Sequence, residues 1–192
     1  MTLRDPLLCT RSYRRFHQVP LEEKTLVELL ELSRLCPSAA NRQPLKYLLA
    51  WRPEQLAMIF PHLRWAAALA PWPGPEEGER PTGYVAIFGD SRISRRCDWD
   101  AAIAAQVILL GAVERGLGGC MIASIDQAGF RSVLGLPEHL EILLVVALGQ
   151  PSEIVVLEDG RPDERPYWRG ADDVHHVPKR VLSELRFTLP GF

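Results

Sequence analysis

The chain has 192 residues, a length that predicts one domain with at most an additional arm. Hydrophobic residues make up 47% of it and charged residues 24%, which is typical of a soluble globular protein and excludes intrinsic disorder and fibrous repeats. The formal net charge of -2 provides no overall attraction to nucleic acid or to an anionic membrane, so we expect neither as a partner. Any basic site must therefore be local.

Targeting and metal-binding patterns are weak in this sequence. The least interrupted apolar run, 101–113, is well short of the roughly 18 residues that predict a membrane span, and the N-terminus lacks the apolar core of a signal peptide. We therefore expect a cytoplasmic protein. The four cysteines form no C-x-x-C pair and are expected to be reduced and mostly buried. His175 and His176 are adjacent, so their side chains should point in different directions and no metal site is predicted.

Hydrophobic periodicity predicts alternating helices and strands without an internal repeat. Asp5 is predicted to cap the first helix with Pro6 at its first position, and the helix should end near the arginines at 11, 14 and 15. The later elements are predicted as a helix over 21–35, a strand over 45–51, a helix over 54–63, a long loop over 71–83, a strand over 84–89, a buried helix over 98–115, a strand over 119–125, a helical turn over 130–134, a strand over 142–148 and an extended arm over 158–192.

Several common chemistries are excluded by the motifs. The glycines at 116–121 fail the last position of G-x-G-x-x-G and follow a helix, which argues against a dinucleotide-binding Rossmann loop. The sequence contains no Walker A loop and no G-x-S-x-G elbow. The adjacent carboxylates at 76–77 and 172–173 lie in loop-like sequence, which favours solvated surface over catalysis.

Two short segments carry polar groups suited to a ligand. Arg11, Ser12 and Arg14 provide two guanidinium groups and a hydroxyl within one predicted turn, which suits a phosphate monoester. The alternative is that the arginines only complement the dipole of the preceding helix. In the loop over 37–44, the amides of Asn41 and Gln43 each offer a donor and an acceptor, which suits the edge of a flavin or a base. The alternative is an ordinary polar turn.

The motifs taken together resemble the FMN-dependent nitroreductase family. The resemblance rests on their order and spacing over nearly the whole chain. The segments that carry it are R-S-Y-R-R-F at 11–16, P-S-A-A-N-R-Q-P at 37–44, E-E-G-E-R-P at 76–81, D-A-A-I-A-A-Q at 100–106, G-L-G-G-C at 116–120, A-L-G-Q-P at 147–151 and H-V-P-K-R at 176–180.

The resemblance implies an α+β fold, a three-layer α/β/α sandwich with a mostly antiparallel central sheet, in which residues 1–192 form one domain. It also implies a homodimer with two FMN sites at the subunit interface, and a domain-swapped C-terminal arm, about 158–192, that packs on the partner subunit. Thr10 departs from the family pattern, where many relatives carry another arginine, and this departure should weaken one phosphate contact.

The resemblance also implies residue roles at the flavin. Arg11, Ser12 and Arg14 match positions that hold the phosphate and the pyrimidine end of the ring, and Lys179 and Arg180 match basic residues near the phosphate. The other matching positions are Ser38, Ala39, Asn41 and Gln43 in a loop that often reaches the flavin from the other subunit, and Ala123 and Ser124 beside flavin N5.

The implied activity is hydride transfer from NADH or NADPH through FMN to a nitroaromatic, quinone or similar conjugated acceptor. The flavin carries the chemistry, so no catalytic side chain is required, although Arg14 would stabilise the negative charge of the reduced ring. Other flavin chemistry on the same scaffold (dehalogenation, enone reduction or dehydrogenation) and a non-catalytic flavin-binding or sensing role remain alternatives. Trp65 and Trp72 are interpreted as either core residues or a platform for the acceptor.

Overall fold

A computed structural model of the chain describes residues 2–69, 72–161, 163 and 166–189. Short 3-10 turns cover Ala39–Asn41, Phe60–His62, Ala67–Leu69 and Glu77–Glu79. The helices are α1 (Arg4–Cys9), α2 (Glu23–Arg34), α3 (Pro53–Ile59), α4 (Asp98–Glu114), α5 (Gln127–Leu134) and α6 (Leu182–Leu185). The strands are β1 (Phe16–His17), β2 (Leu45–Ala50), β3 (Gly83–Asp90), β4 (Gly118–Ile122), β5 (Leu140–Pro151), β6 (Val155–Asp159), β7 (Trp168–Arg169) and β8 (His175–Lys179).

Five strands form the central sheet. The strand order is β1-β5-β3-β2, and β4 also pairs with β5. All of these strand pairs are antiparallel, which confirms the predicted mostly antiparallel sheet of an α+β fold. The long strand β5 is the common partner of β1, β3 and β4, so it organises the sheet.

Alternating side chains of the sheet enter two apolar cores. Tyr84, Ala86 and Phe88 of β3 contribute to one core together with α3 and α5, whereas Val85 and Ile87 contribute to the other together with α2 and α4. This alternation is expected because successive strand residues point to opposite faces. Helices therefore cover both faces of the sheet.

Helix α4 is buried along much of its length, as its apolar sequence predicts. Its buried positions are mostly alanine and glycine, which allow a neighbouring helix to approach closely. A Cβ atom on Gly111 would lie 2.4 Å from Cδ1 of Leu32 in α2, so this glycine sets the spacing of the two helices. No helix within the described residues is long and apolar enough to cross a membrane.

The C-terminal region divides into two parts. β6 pairs with β8 in parallel and β7 pairs with β8 in antiparallel orientation, forming a small sheet. Ion pairs join this sheet to the rest of its own chain. Arg15 Nη1 lies 2.5 Å from Asp173 Oδ2, and Arg169 Nη2 lies 2.6 Å from Oε2 of Glu153, which follows β5. After β8, the apolar side chains are exposed, at 78% for Leu182, 65% for Leu185, 84% for Phe187 and 60% for Leu189. Residues 162, 164, 165 and 190–192 of the predicted arm lie outside the described residues.

The main error in the predicted elements concerns α1. Its N-cap is Leu3, and Asp5 lies inside the first turn, where its carboxylate accepts the backbone N–H of Thr2. The helix ends at Cys9, so the arginines that follow lie in an extended segment and do not share one helical turn. This short helix buries only Pro6.

Smaller differences affect other elements. β4 ends at Ile122, three residues before its predicted end, whereas β5 extends beyond both of its predicted ends. α5 is a full helix because Asp126 caps it through the backbone N–H of Gly129. The prediction of mostly buried cysteines is wrong for Cys9, which is exposed, and for the half-buried Cys36.

Candidate functional site

The extended segment after α1 lies against β4. Tyr13 donates its backbone N–H to the carbonyl of Gly119 at 3.0 Å, and Ser12 forms a parallel bridge with the same residue. Gly118 allows this contact, because a Cβ atom there would lie 2.5 Å from the Tyr13 ring. At Gly119 a Cβ atom would lie 2.2 Å from the carbonyl oxygen of Ala147 in β5, so this glycine allows the close pairing of β4 and β5. The close packing fixes the arginine-bearing segment beside the sheet.

A cavity of about 480 Å³ opens between this segment, α4, β4 and the C-terminal sheet. Arg11, Ser12, Arg14 and Lys179 all line it, as does Thr10 at the departure from the family pattern. The structure thus brings together four of the residues that the resemblance predicts to hold phosphate. The three cations Arg11, Arg14 and Lys179 make the cavity suited to an anionic ligand.

Arg11 supports both interpretations of its role. Its Nη2 donates to the carbonyl of Leu7 at 2.6 Å. This contact agrees with the alternative that the arginine only complements the dipole of the preceding helix. Its Nε is buried without a hydrogen-bond partner. Because a buried donor normally has a partner, this nitrogen is available to a bound acceptor.

Arg14 is held between an imidazole and an aromatic ring. Its Nη1 donates to the carbonyl of Ser12 at 3.2 Å and lies 3.3 Å from Nε2 of His175. Its guanidinium carbon lies 5.3 Å from the ring centre of Tyr167, a cation–π distance. These contacts fix the guanidinium group of Arg14 at the edge of the cavity it lines.

His175 is a neutral partner for Arg14. Its side chain is buried, and burial, followed by the charges of Arg14 and Arg169, lowers its pKa to about 4. Since arginine only donates hydrogen bonds, Nε2 accepts and the ring proton lies on Nδ1. Nδ1 has no partner within the described residues. As predicted, the neighbouring His176 faces other surroundings and contacts Glu158.

Glu153 anchors the arginine segment from the opposite side. Its side chain is only 2% exposed, and its carboxylate accepts the backbone N–H groups of Arg14 and Arg15. The same carboxylate accepts a hydrogen bond from Arg169 Nη2 at 2.6 Å. Sequence reasoning missed this residue because a single glutamate after β5 resembles an ordinary surface acid.

Ala123 and Ser124 line a second, smaller cavity of about 140 Å³. Arg14, Met121 and Tyr167 line both cavities, so the two spaces adjoin. The Tyr167 hydroxyl accepts the backbone N–H of Ala68 at 3.2 Å, which fixes the ring between the cavities. Tyr167 and His175 carried no sequence signal, because their contacts depend on how the C-terminal sheet folds back.

The two tryptophans have different surroundings. Trp65 is 7% exposed, belongs to one apolar core and packs on Phe60 with ring centres 5.9 Å apart. Trp65 also lines the smaller cavity. Trp72 packs on the outside of the same core, 5.5 Å from the guanidinium carbon of Arg169. These contacts favour the core interpretation of both residues.

The loop with Ser38, Ala39, Asn41 and Gln43 lines neither of these cavities. Its backbone is strained, because Ala40, Asn41 and Gln43 have φ angles of 50°, 52° and 49°. Such left-handed conformations cost free energy in residues other than glycine and concentrate at functional sites.

Hydrogen bonds fix the amides of this loop. Ser38 Oγ accepts the backbone N–H of Gln43, and Gln43 Nε2 donates to Asn41 Oδ1, each at 3.0 Å. Both amide side chains lie at an exposed position. The pairing leaves the Asn41 amide N–H groups as donors and Gln43 Oε1 as an acceptor toward solvent.

Arg180 also lies outside the larger cavity. Its guanidinium pairs with Asp163 at 3.0 Å and with Glu184 at 3.7 Å. In the single chain, therefore, Lys179 is the member of this basic pair that faces the predicted phosphate site.

The model of the Nitroreductase family matches residues 9–150 of the sequence. The chain belongs to the nitroreductase family. An NADH dehydrogenase of Thermus thermophilus is 30% identical to this family member over 185 residues, covering 81% of this chain and 87% of that protein.

Solved structures show the same fold at lower identity. A nitroreductase family protein from Clostridium difficile 630 superimposes with a TM-score of 0.72 at 19% identity, covering 98% of this chain and 100% of the other. An FMN-dependent nitroreductase from Clostridium difficile R20291 gives a TM-score of 0.66 at 19% identity, covering 99% of this chain and 100% of the other.

Proposed function

We propose that this nitroreductase-family chain binds FMN and passes hydride from NADH or NADPH to a nitroaromatic, quinone or similar conjugated acceptor. The observation that carries the proposal is the pair of adjoining cavities. Arg11, Arg14 and Lys179 line the larger one, and Ala123 and Ser124 line the smaller one. The family and the Thermus relative support oxidoreduction with a nicotinamide reductant.

The residues present fit FMN. The larger cavity falls within the roughly 300–1,000 Å³ typical of ligand sites. Its cations and the Ser12 hydroxyl suit a phosphate dianion, and the unpartnered Arg11 Nε offers a further donor. The small side chains of Ala123 and Ser124 allow the backbone to approach a flat ring closely.

The side chains of this chain would bind and polarise the cofactor. FMN supplies the chemistry of accepting and donating a hydride at its ring. Arg11 and Lys179 bind the phosphate, and Ser12 donates a hydrogen bond to it. Arg14, held by neutral His175, keeps a fixed positive charge beside the ring edge where negative charge develops on reduction.

The complete site requires two chains in this proposal. The Ser38–Gln43 loop lines neither cavity of its own chain, yet its amides are fixed by hydrogen bonds and directed to solvent. The partner's loop would complete the flavin site, and the exposed apolar residues after β8 would pack on the partner subunit. Analytical ultracentrifugation of the full chain should therefore show a dimer, and a monomer at micromolar concentration would contradict this arrangement.

An anaerobic titration of the purified protein tests cofactor and reductant together. We expect bound FMN whose oxidised absorbance bleaches on addition of NADH or NADPH and returns on addition of a quinone or nitroaromatic acceptor. A colourless protein that does not bind added FMN would refute the proposal. A bound flavin that neither reductant bleaches would support the non-catalytic alternative, and reoxidation only by an enone or a halogenated acceptor would support other flavin chemistry.

Substitution of the arginines tests the site itself. Arg11→Ala and Arg14→Ala should each weaken FMN binding by at least about tenfold, because each removes a charged hydrogen bond to the ligand. Lys24→Ala is a control, since Lys24 is exposed on α2 and pairs with Glu28. Fluorescence quenching of FMN titrated into the flavin-free protein measures the affinity. Unchanged affinity in both variants would remove these arginines from the site.

A further inference from the structure

A third cavity, of about 420 Å³, lies between the Ala39–Asn41 turn and the loop that follows β3. Arg42, Arg95 and Arg96 line it, and within the described residues none of the three side chains makes an ion pair or a hydrogen bond. One carboxylate, the buried Asp100, also lines the cavity. Three guanidinium groups therefore face one acid, and the cavity is positively charged.

The loop that carries two of these arginines is held by its own hydrogen bonds. Arg92 binds the carboxylate of Asp90 through Nε at 2.9 Å and Nη2 at 2.7 Å. Ser94 Oγ accepts the backbone N–H of Arg96 at 3.2 Å, and the Cys97 thiol donates to the carbonyl of Ser94 at 3.0 Å. The backbone is thus ordered before any ligand arrives, which reduces the entropy cost of binding.

The opposite wall of the cavity belongs to the strained loop. Ser38 and Ala39 line the cavity, and they lie in the segment proposed to reach the flavin. A hydride donor must place its nicotinamide on the flavin, and its adenosine end extends away from it. Because the cavity shares Ser38 and Ala39 with the segment proposed to reach the flavin, a reductant on the flavin would extend its adenosine end toward the cavity's arginines.

We propose that this cavity binds the 2′-phosphate of NADPH, so that NADPH is the preferred reductant; this inference rests on the proposed function. NADPH and NADH differ only at that position, where NADH carries a neutral hydroxyl. A phosphate monoester offers several acceptor oxygens and close to two negative charges, which match paired guanidinium groups. Arginine is the usual partner of this phosphate in dinucleotide sites.

Binding of fragments tests the cavity without flavin turnover. Adenosine 2′,5′-bisphosphate and adenosine 5′-monophosphate are titrated into the FMN-loaded protein by isothermal calorimetry. The bisphosphate should bind at least about tenfold more tightly, and the double variant Arg95→Ala/Arg96→Ala should lose this advantage. Lys24→Ala, on the exposed surface of α2, should keep it. Equal affinity of the two fragments in the unmodified protein would overturn the inference.

Steady-state kinetics provide the second readout. In the double variant, KM for NADPH should rise by at least about tenfold while KM for NADH and kcat with either reductant stay within about twofold. An equal rise for both reductants would overturn the inference, because it would assign the arginines to a group that NADH shares. Both arginines are exposed, so thermal melting should show an intact fold.

The two proposals fail in different ways. A protein that reduces bound FMN equally well with NADH and NADPH overturns the NADPH inference and leaves the oxidoreductase proposal intact. A protein that binds no FMN refutes the oxidoreductase proposal, whereas the calorimetric comparison of the two adenosine fragments, repeated on the flavin-free protein, still reports on the arginine cavity.

Discussion

Replacing Glu153 with alanine should destabilise the protein strongly. The carboxylate is 2% exposed and accepts hydrogen bonds from the backbone of Arg14 and Arg15 and from the side chain of Arg169, which is itself 15% exposed. Truncation leaves Arg169 Nη2 and two backbone N–H groups without a partner in a buried site, while Arg169 Nη1 keeps its contact with Asp173 at 3.2 Å. Breaking a buried ion pair in this way costs about 3–5 kcal/mol.

The expected shift in melting temperature follows from chain length. For a protein of this size each kcal/mol corresponds to about 2–4 °C, so Glu153→Ala should lower the midpoint by about 6–20 °C. Glu153→Gln keeps an acceptor for the two backbone N–H groups and should lower the midpoint by less than Glu153→Ala does. The measurement is differential scanning calorimetry at constant protein concentration, since a dimer's midpoint depends on concentration.

Two comparisons separate the ion pair from general damage. Glu31→Ala removes an exposed carboxylate that pairs with Arg34, and it should barely move the midpoint. The double variant Glu153→Ala/Arg169→Ala should be more stable than the sum of the single losses predicts, because it also removes the Arg169 Nη2 donor that Glu153→Ala leaves unpaired. A drop of less than about 3 °C for Glu153→Ala would refute the argument that this carboxylate anchors the arginine segment.

Three further predictions address the loop strain, the strand contact and the buried histidine. Ala40→Gly should raise the unfolding free energy by up to about 1 kcal/mol because it relieves the left-handed φ, whereas Ala39→Gly should lower the unfolding free energy. Chemical denaturation measures both values. An equal loss of unfolding free energy in the two variants would contradict the strain at Ala40. Gly119→Ala should cost about 1–3 kcal/mol because its Cβ meets a carbonyl oxygen, whereas Gly78→Ala, with open space around it, should be nearly neutral in the same assay. The pKa of His175 is lowered to about 4 from an unfolded value near 6.5, so its stabilisation is complete above pH 6.5 and is lost as the pH falls toward 4. In urea denaturation, the unfolding free energy of the unmodified protein should fall by about 2–3 kcal/mol more than that of His175→Gln over this range. Parallel pH profiles for the two proteins would contradict a lowered pKa of His175.

The sequence predicted best the elements whose pattern is continuous. The helix predicted over 98–115 is observed over Asp98–Glu114, and the strand predicted over 84–89 is observed over Gly83–Asp90. The start of α1 was wrong because the Asp5-Pro6 pair is typical both of a cap and of a first turn, and only the backbone distinguishes them.

The candidate site was predictable only where a local motif exists. Arg11, Ser12 and Arg14 form such a motif, and they line one cavity with Lys179. The partners that position them do not, since Glu153 lies 139 residues after Arg14 in the sequence and His175 lies 161 residues after it. Contacts over such separations depend on the path of the C-terminal sheet, which neither periodicity nor spacing encodes.

The position of β5 in the sequence has a consequence for synthesis. β1, β3 and β4 all pair with β5, yet they emerge from the ribosome before it. Until residues 140–151 are made, the nascent chain has only the pairing of β2 with β3 available from the central sheet. During that interval the central sheet is incomplete, so the apolar surface of α4 stays exposed. We therefore expect the growing chain to depend on chaperones until most of its length has been translated.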